Sequence, residues 1–523
     1  MNWRLLLNSL FVAGGTTLLA VSFGFVAALA LSASSSRGRR IWLVMMIASL
    51  ALPPFLVTNT WLDLLGGNGV LRRWLPLDIY SLGGAVTLLA LLMWPITALL
   101  VSGAWRKLEA SQLEGDPALR GSALLRWLLW PAARGAVGQA AAITFVLALN
   151  NFSVPVILQV PVFPEELWLA FTTRLNDAGA WAAACPMVLA SVMVLCLLRH
   201  AEVQWPRSGG AATAEAFRHQ LGANWHRGAL LIAALLLALS LGVPAMQLIA
   251  SRRTWAELPN VFRATPHVVW NSFAYAAVTA TACMALGLVI GRASARHARF
   301  LPLPATQERG EGRGEGESFH ERPSSPQPSP PSVGGEGVQR AWFDHGAWMR
   351  RMTGRLRFGP ILWLPFLIPG VLLGWTMIAV FNGSFIYGTA MLVVIAFTLR
   401  YLAVASHASA QAWRAVDRDL TDAARLSGAR GWTLLRHAHW PQLAPPLAAA
   451  WYATYLLCLW DVETLVLLQP PGGETLALRI FNLLHYGHNA QVNALCVTLV
   501  ALAVAPLAGW SVWQALVRWR NEK

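Results

Sequence analysis

The chain has 523 residues, 56% of them hydrophobic and only 12% charged, with 26 tryptophans and a formal net charge of +15. A mean hydropathy of +0.49 excludes an ordinary soluble globular protein, and the class that remains is an all-α, polytopic membrane protein. The positive residues sit in short loops between apolar runs, where they set topology and do not point to nucleic acid, and the five cysteines, without CxxC spacing, support neither disulfides nor zinc.

A bilayer core about 30 Å thick needs roughly 20 helical residues. Eleven apolar runs meet that length, near 9 to 33, 41 to 62, 80 to 104, 137 to 160, 179 to 198, 229 to 250, 270 to 291, 359 to 380, 384 to 405, 442 to 467 and 493 to 516. Pro53, Pro95 and Pro369 fall inside these runs and are expected to be tolerated, because neighbouring helices can satisfy the freed carbonyls. The first run is too long for the core of a signal peptide and reads as a membrane helix.

Orientation follows from arginine, since Lys107 and Lys523 are the only lysines. If the loop SSRGRR after the first run is cytoplasmic, alternate loops on that side carry 31 of the 40 Lys and Arg residues, which fixes the topology by the positive-inside rule. The C-terminal VRWRNEK is then cytoplasmic. The N-terminus is left outside with eight residues before the first run, an arrangement that suggests an absent preceding helix and a total of twelve.

Two blocks of the sequence occur twice. Asn8, Ser9, Ala13, Thr16 and Gly24 reappear 263 residues later as Asn271, Ser272, Ala276, Thr279 and Gly287. Leu124, Leu125, Arg126, Trp130 and Pro131 reappear 310 residues later as Leu434, Leu435, Arg436, Trp440 and Pro441, and that register holds at Leu158, Gln159 and Pro161 against Leu468, Gln469 and Pro471. Such self-similarity marks a duplicated unit. It divides the chain into a first half at 1–200, a connector with one extra helix at 201–269, and a second half at 270–523. The two offsets differ because the second half carries an insert at 301–345, whose stretch 307–340 is dominated by Gly, Pro, Ser and Glu and reads as a disordered cytoplasmic loop.

The polar stretch from Asp422 to Pro441, DAARLSGARGWTLLRHAHWP, interrupts the apolar pattern. Asp422 is placed to cap or favour the N-terminus of a short helix, Ala423 and Ala424 offer a small surface, and Gly428 permits a turn before a second helix through Leu434 and Leu435. Pro441 marks entry into the next span. The result is a short helix along the cytoplasmic surface. An ordinary amphipathic helix at the headgroups has the same appearance.

At these residues the chain resembles the membrane-spanning permeases of binding-protein-dependent ATP-binding-cassette (ABC) importers. Their signature is EAA, three residues, Gly, nine residues, then I-x-L-P. Asp422, Ala423, Ala424, Gly428 and Pro441 fit its spacing, with Asp for Glu, Ala438 for Ile and Trp440 for Leu. In the first half Glu109, Ala110, Ser111 and Gly115 keep the front of the motif, but Pro131 lies 16 residues past the glycine, and an alternative register runs through Glu114 and Gly121. The openings at Asn8 and Asn271 are also similar to that family.

The resemblance implies five core helices per half, and a coupling helix in each half, at about 105–135 and 406–441, docked on an ATPase subunit. Asp422, Ala423, Ala424, Gly428, Arg436 and Pro441, with Glu109, Ala110, Gly115, Arg126 and Pro131, are the expected coupling residues. Two halves in one chain resemble the fused ferric-iron and thiamine importer type. Implied partners are two copies of a cytoplasmic ABC ATPase and a periplasmic or extracellular substrate-binding protein, with the chain in a bacterial plasma membrane and no cofactor. The sequence holds no GxxxxGK[ST], so ATP hydrolysis falls to a partner and the chain is not an enzyme.

Acidic residues inside spans are expensive and point to function. Asp461 and Glu463 lie toward the outer end of the tenth run, and two residues apart on a helix they are expected to point about 200° away from each other. Asp461 is the 310-offset partner of Asn151, which makes Asp461, Asn151 and Glu463 the candidates for a translocation path; the competing reading has either acid reach the outer interface or close a helix end. His437 and His439 read as helix-surface residues. A secondary transporter would share the internal repeat but needs no paired docking loops, and a membrane enzyme would need a convergent set of His, Asp or Glu that the spans do not offer.

Overall fold

The computed structural model describes residues 3–67, 69–74, 78–106, 108, 112–113, 119–170, 177–198, 214–299, 361–484 and 489–522. Every regular element among them is helical. The N-terminal part contains α1 (Trp3–Ala33), α2 (Ser36–Ala51), α3 (Pro54–Leu65) and α4 (Leu82–Trp105). After a turn at Ser122–Leu124 and a π-helical turn at Leu125–Leu129 come α5 (Trp130–Asn150), α6 (Ser153–Ile157), α7 (Phe163–Leu169) and α8 (Asp177–Leu198). The connector carries α9 (Ala214–Leu221), α10 (Ala223–Ala250) and α11 (Arg252–Ala264). The C-terminal part has α12 (Pro266–Arg299), α13 (Leu364–Leu367), α14 (Gly370–Phe381), α15 (Ala390–Ala415) and α16 (Arg418–Leu426). A turn at Gly431–Leu434 and a second π-helical turn at Leu435–His439 then lead to α17 (Trp440–Leu459), α18 (Leu465–Leu468), α19 (Leu476–Leu484) and α20 (Asn489–Glu522).

Eleven spans were too many for the described residues. Seven helices are long and apolar enough to cross a bilayer, or eight if α2 and α3, bent by 84°, form one span. The expected run at 359–380 fails because Ile368 precedes a proline, adopts ψ 154° and ends α13, leaving α14 with 12 residues, about 18 Å of helix. Pro53 likewise precedes Pro54, has ψ 131° and separates α2 from α3. Pro95 lies inside an unbroken α4, whereas Pro53 and Pro369 stand at helix breaks. The expected run at 442–467 stops at Leu459, and within the run at 179–198 only Ala184–Val194 forms a short apolar helix of described side chains. The insert at 301–345 lies outside the described residues.

Packing follows the duplicated blocks. Helices α1, α4 and α5 pack against one another, and α12, α15 and α17 do the same. Small residues set the closeness. A Cβ added at Gly24 would stand 2.5 Å from the Cβ of Thr97 and the backbone oxygen of Trp94; one added at Gly287 would stand 2.9 Å from the carbonyl carbon of Ala405. These two glycines are repeat partners and serve the same kind of crossing, in which helix backbones approach more nearly than any side chain allows.

The two parts also interlock. The short helix α3 touches α19 and α20, while α14 touches α7. Asn59 on α3 donates to the amide oxygen of Asn493 on α20 at 2.9 Å, both side chains being buried. Leu367, at the end of α13, has a backbone carbonyl that helix geometry leaves without a partner; it accepts from Asn150 Nδ2 at 2.5 Å and from Ser191 Oγ at 2.6 Å.

Candidate functional site

The surface stretch beginning at Asp417 is built by local chemistry. Asp417, not Asp422, is the N-cap of α16: its carboxylate accepts from the Asp419 amide at 2.9 Å. Asp422 stands mid-helix and pairs with Arg425 at 3.3 Å, an exposed pair that adds little to stability. The helix ends in a Schellman motif: the Gly428 N–H donates to the Arg425 carbonyl, the Ala429 N–H donates to the Ala424 carbonyl, and Gly428 takes φ +87°. Gly428 therefore makes the turn expected of it. Gly431 (φ +52°) makes a second turn, and Pro441 is the second residue of α17, directly after the π-helical turn.

From Thr421 to Pro441 no side chain is buried. Leu426 is 91% exposed, and Trp432 and Leu420 are exposed as well. Leu420, Leu426 and Trp432 are left exposed by the described residues of the chain.

The first loop is built alike where it is described; Glu109, Ala110 and Gly115 lie outside the described residues. Gly121 has φ +55° and is the 310-offset partner of Gly431, so the backbone register favours neither Glu109–Gly115 nor Glu114–Gly121 as the counterpart of Asp422–Gly428. Both loops then pass through a π-helical turn containing the repeated arginine, Arg126 or Arg436, and enter a helix at Trp130–Pro131 or Trp440–Pro441. Single π turns of this kind gather at functional positions. Each is seated on a tryptophan at the end of the preceding long helix: Trp105 Nε1 donates to the Leu129 carbonyl at 2.8 Å, and the Trp413 ring meets the His439 ring at 5.7 Å. Trp127, Trp130, Trp432 and Trp440 remain exposed.

At the far ends of the helices the second duplicated block does matching work. Asn8 Nδ2 donates to the Pro161 carbonyl, and Asn271 Nδ2 to the Gly472 and Glu474 carbonyls. Ser9 accepts from the first amide of α7 (Phe163) and Ser272 from the first amide of α19 (Leu476), each at 2.8 Å. Each Asn-Ser pair thus fastens the segment that follows the last long helix of its packed trio, α5 or α17.

The candidate path residues come together differently from the expectation. Because α17 ends at Leu459, Asp461 and Glu463 lie in a turn, where 100° per residue does not apply, and both face one guanidinium. Arg400 of α15 lies 3.4 Å from Asp461 Oδ2 and 2.9 Å from Glu463 Oε2, and donates to Thr464 Oγ1 at 2.5 Å. Asp461 also accepts from the Tyr401 hydroxyl (2.8 Å), the Thr464 hydroxyl (2.9 Å) and the Thr464 amide (2.9 Å). Glu463 Oε1 accepts from the backbone N–H of Phe152 at 3.3 Å. Gly370 makes room for the guanidinium, since any Cβ there would collide with it. Asn151 caps the start of α6 in the way Asp461 caps the turn that leads into α18, its side chain accepting from the Val154 N–H at 3.1 Å. This capping of the segment that follows is what the two offset partners share. Arg400 escaped the sequence reading, although a lone arginine in an apolar run, with two acids in a later one, was the available signal.

Among curated proteins, a Salmonella paratyphi A protein named for a 2-aminoethylphosphonate transport system permease is 31% identical over 147 residues, 28% of this chain and 55% of that relative. A spermidine/putrescine transport system permease protein of Haemophilus influenzae is 25% identical over 158 residues, 30% of this chain and 60% of the relative. A putrescine transport system permease protein of Escherichia coli is 25% identical over 182 residues, 33% and 63% of the two chains. The chain therefore spans a little over half the length of the curated relatives it matches. Residues 346–508 match the family model of the binding-protein-dependent transport system inner membrane component, and over those residues the chain is similar to a multi-pass, non-catalytic permease subunit of the inner membrane.

Proposed function

We propose that the chain is the membrane-spanning permease of an ATP-driven importer and that it carries both permease halves, residues 1–200 and 270–523, in one polypeptide. The observation that carries this reading is the pair of surface loops 310 residues apart. Each has a positive-φ glycine (Gly121, Gly431), a π-helical turn with an arginine, an exposed tryptophan and a proline entry into a long helix. Two such loops suit a pair of identical partners. Each would hold an ABC ATPase subunit, with Asp422, Ala423, Ala424, Gly428, Arg436 and Pro441 in one loop and Glu109, Ala110, Gly115, Arg126 and Pro131 in the other. Closure of the ATPase pair on ATP would draw the loops together and, through α5 and α17, rock the two helix groups as rigid bodies.

A solute would arrive on a separate binding protein at the opposite face. The fused form suggests ferric iron or thiamine as cargo, whereas the relatives' names point to amine-bearing solutes. Asp461 serves this function as a fixed structural acid and not as a bare lining group, since its carboxylate is engaged four times over.

The deciding experiment is co-purification. The tagged chain should bring down an ATPase dimer, and Leu426→Asp should release it while leaving the chain inserted. Uptake by the chain alone, with no nucleotide-binding companion, would refute the reading.

A further inference from the structure

Four stretches distant in sequence meet at one polar node: the end of α5 (Asn150, Phe152), the break at Pro369, Arg400–Tyr401 of α15, and the turn 461–464. The node holds one guanidinium and two carboxylates, and the two acids are held very unequally. Asp461 has a side chain 1% exposed and is tied to its own turn by the Thr464 amide and hydroxyl and to α15 by Tyr401. Glu463 is 13% exposed, and its carboxylate meets Arg400 with one oxygen and, at 3.3 Å with the other, the Phe152 amide from the N-terminal part of the chain. An arginine stripped of every counter-charge in such surroundings would be costly. Here Asp461 remains as a permanent counter-charge, so the Glu463–Phe152 contact can be broken without leaving Arg400 uncompensated. The N-terminal group has nothing comparable: the 310-offset partners of Asp461, Glu463 and Thr464 are Asn151, Ser153 and Val154.

From this inequality we propose that Glu463 is a one-sided latch. It clips the end of α5 to the C-terminal helices when its free oxygen meets the Phe152 amide and lets the seam open when it withdraws to Arg400 alone, with Arg400 and Asp461 as its fixed seat. The purpose of the latch, to hold two helix groups in one of two arrangements, rests on the permease reading. Its existence rests on the geometry of the node.

Ser153→Cys gives a reporter beside Phe152, at a position 6% exposed; the native buried Cys283 and Cys496 act as references. The purified full chain in lipid nanodiscs, without ATPase or solute, is treated with N-ethylmaleimide, and each cysteine is followed by mass spectrometry. Glu463→Met removes the latch while leaving the Arg400–Asp461 pair neutral. Glu463→Asp keeps the charge but shortens its reach to Phe152. Both variants should raise alkylation at position 153 on the order of ten-fold, with Cys283 and Cys496 unchanged, as expected when one local opening becomes more populated. Unchanged rates at position 153 in both variants would overturn the latch, as would equal acceleration at all three cysteines. If the latch behaves as stated but no ATPase partner co-purifies, the permease reading fails alone.

Discussion

The crossing glycines allow a prediction whose size follows from the structure. Replacing Gly24 with alanine places a Cβ 2.5 Å from Thr97 Cβ and from the Trp94 backbone oxygen; in Gly287→Ala the new atom meets the backbone of Ala405 and Ser406 at 2.9 to 3.0 Å. Carbon atoms pack best at about 3.5–4.0 Å, so α1 and α4, or α12 and α15, must separate by roughly 1 Å, which forfeits a quarter to a half of the attraction between the facing atoms. Backbone cannot rotate aside as a flexible side chain can, and overpacking of this kind costs about 1–3 kcal/mol. Gly14 in α1 and Gly103 in α4 are internal controls, because a Cβ at either meets nothing within 4 Å. There alanine should be neutral or help by up to about 1 kcal/mol through helix propensity. Thermal unfolding at fixed detergent and lipid should therefore lower Tm for Gly24→Ala and Gly287→Ala and hold or raise it for Gly14→Ala and Gly103→Ala. If Gly24→Ala behaves like Gly14→Ala, the close crossing is not there.

Other consequences are as direct. Gly428→Val forces a β-branched residue to φ +87° in an exposed turn and should cost about 1–2 kcal/mol locally; insertion should stay normal in a membrane-fraction blot while coupled uptake falls. Asn59→Leu orphans the buried Asn493 amide and should lower stability by about 1–3 kcal/mol, whereas the double variant Asn59→Leu/Asn493→Leu should recover most of it in a double-mutant cycle. Deleting residues 307–340 should leave both insertion and uptake intact, measured by the same blot and by solute accumulation.

Much of the architecture was legible because duplicated residues do duplicated jobs. Asn8 and Asn271, Ser9 and Ser272, and Gly24 and Gly287 were matched as letters, and each pair proves to make the same contact in its own helix group. Span counting was less successful because hydropathy is blind to breaks. The run at 359–380 is as apolar as its neighbours, and only the backbone of Ile368 and Pro369 turns it into a 12-residue helix. Proline alone does not decide the matter, since Pro445 and Pro446 sit side by side inside α17 without ending it. The break at Pro369 has further support, because Leu367 finds donors in Asn150 and Ser191, and Gly370 yields its space to Arg400. Those partners lie hundreds of residues away or on another helix, and no local window contains them.

The polar node shows why the two acids do not point apart as expected. Treating Asp461 and Glu463 as residues on one helix separated them by 200°, and an arginine 61 residues earlier was not considered as their common partner. Asn151 and Asp461, the offset partners, both accept from the amide three residues on, so the cap on the following segment is what the duplication holds in common. The charge, Arg400 and Glu463 belong to the C-terminal group alone. An inherited helix start asks only for an acceptor, and asparagine supplies one at lower desolvation cost than aspartate. An aspartate in the second copy is therefore explained by its guanidinium, and Arg400→Met should destabilise the chain more than Arg400→Met combined with Asp461→Asn, because the second change removes one of the two orphaned charges and keeps the acceptor. Equal stability of the two in a thermal unfolding series would mean that Asp461 does not depend on Arg400 for its place in the membrane.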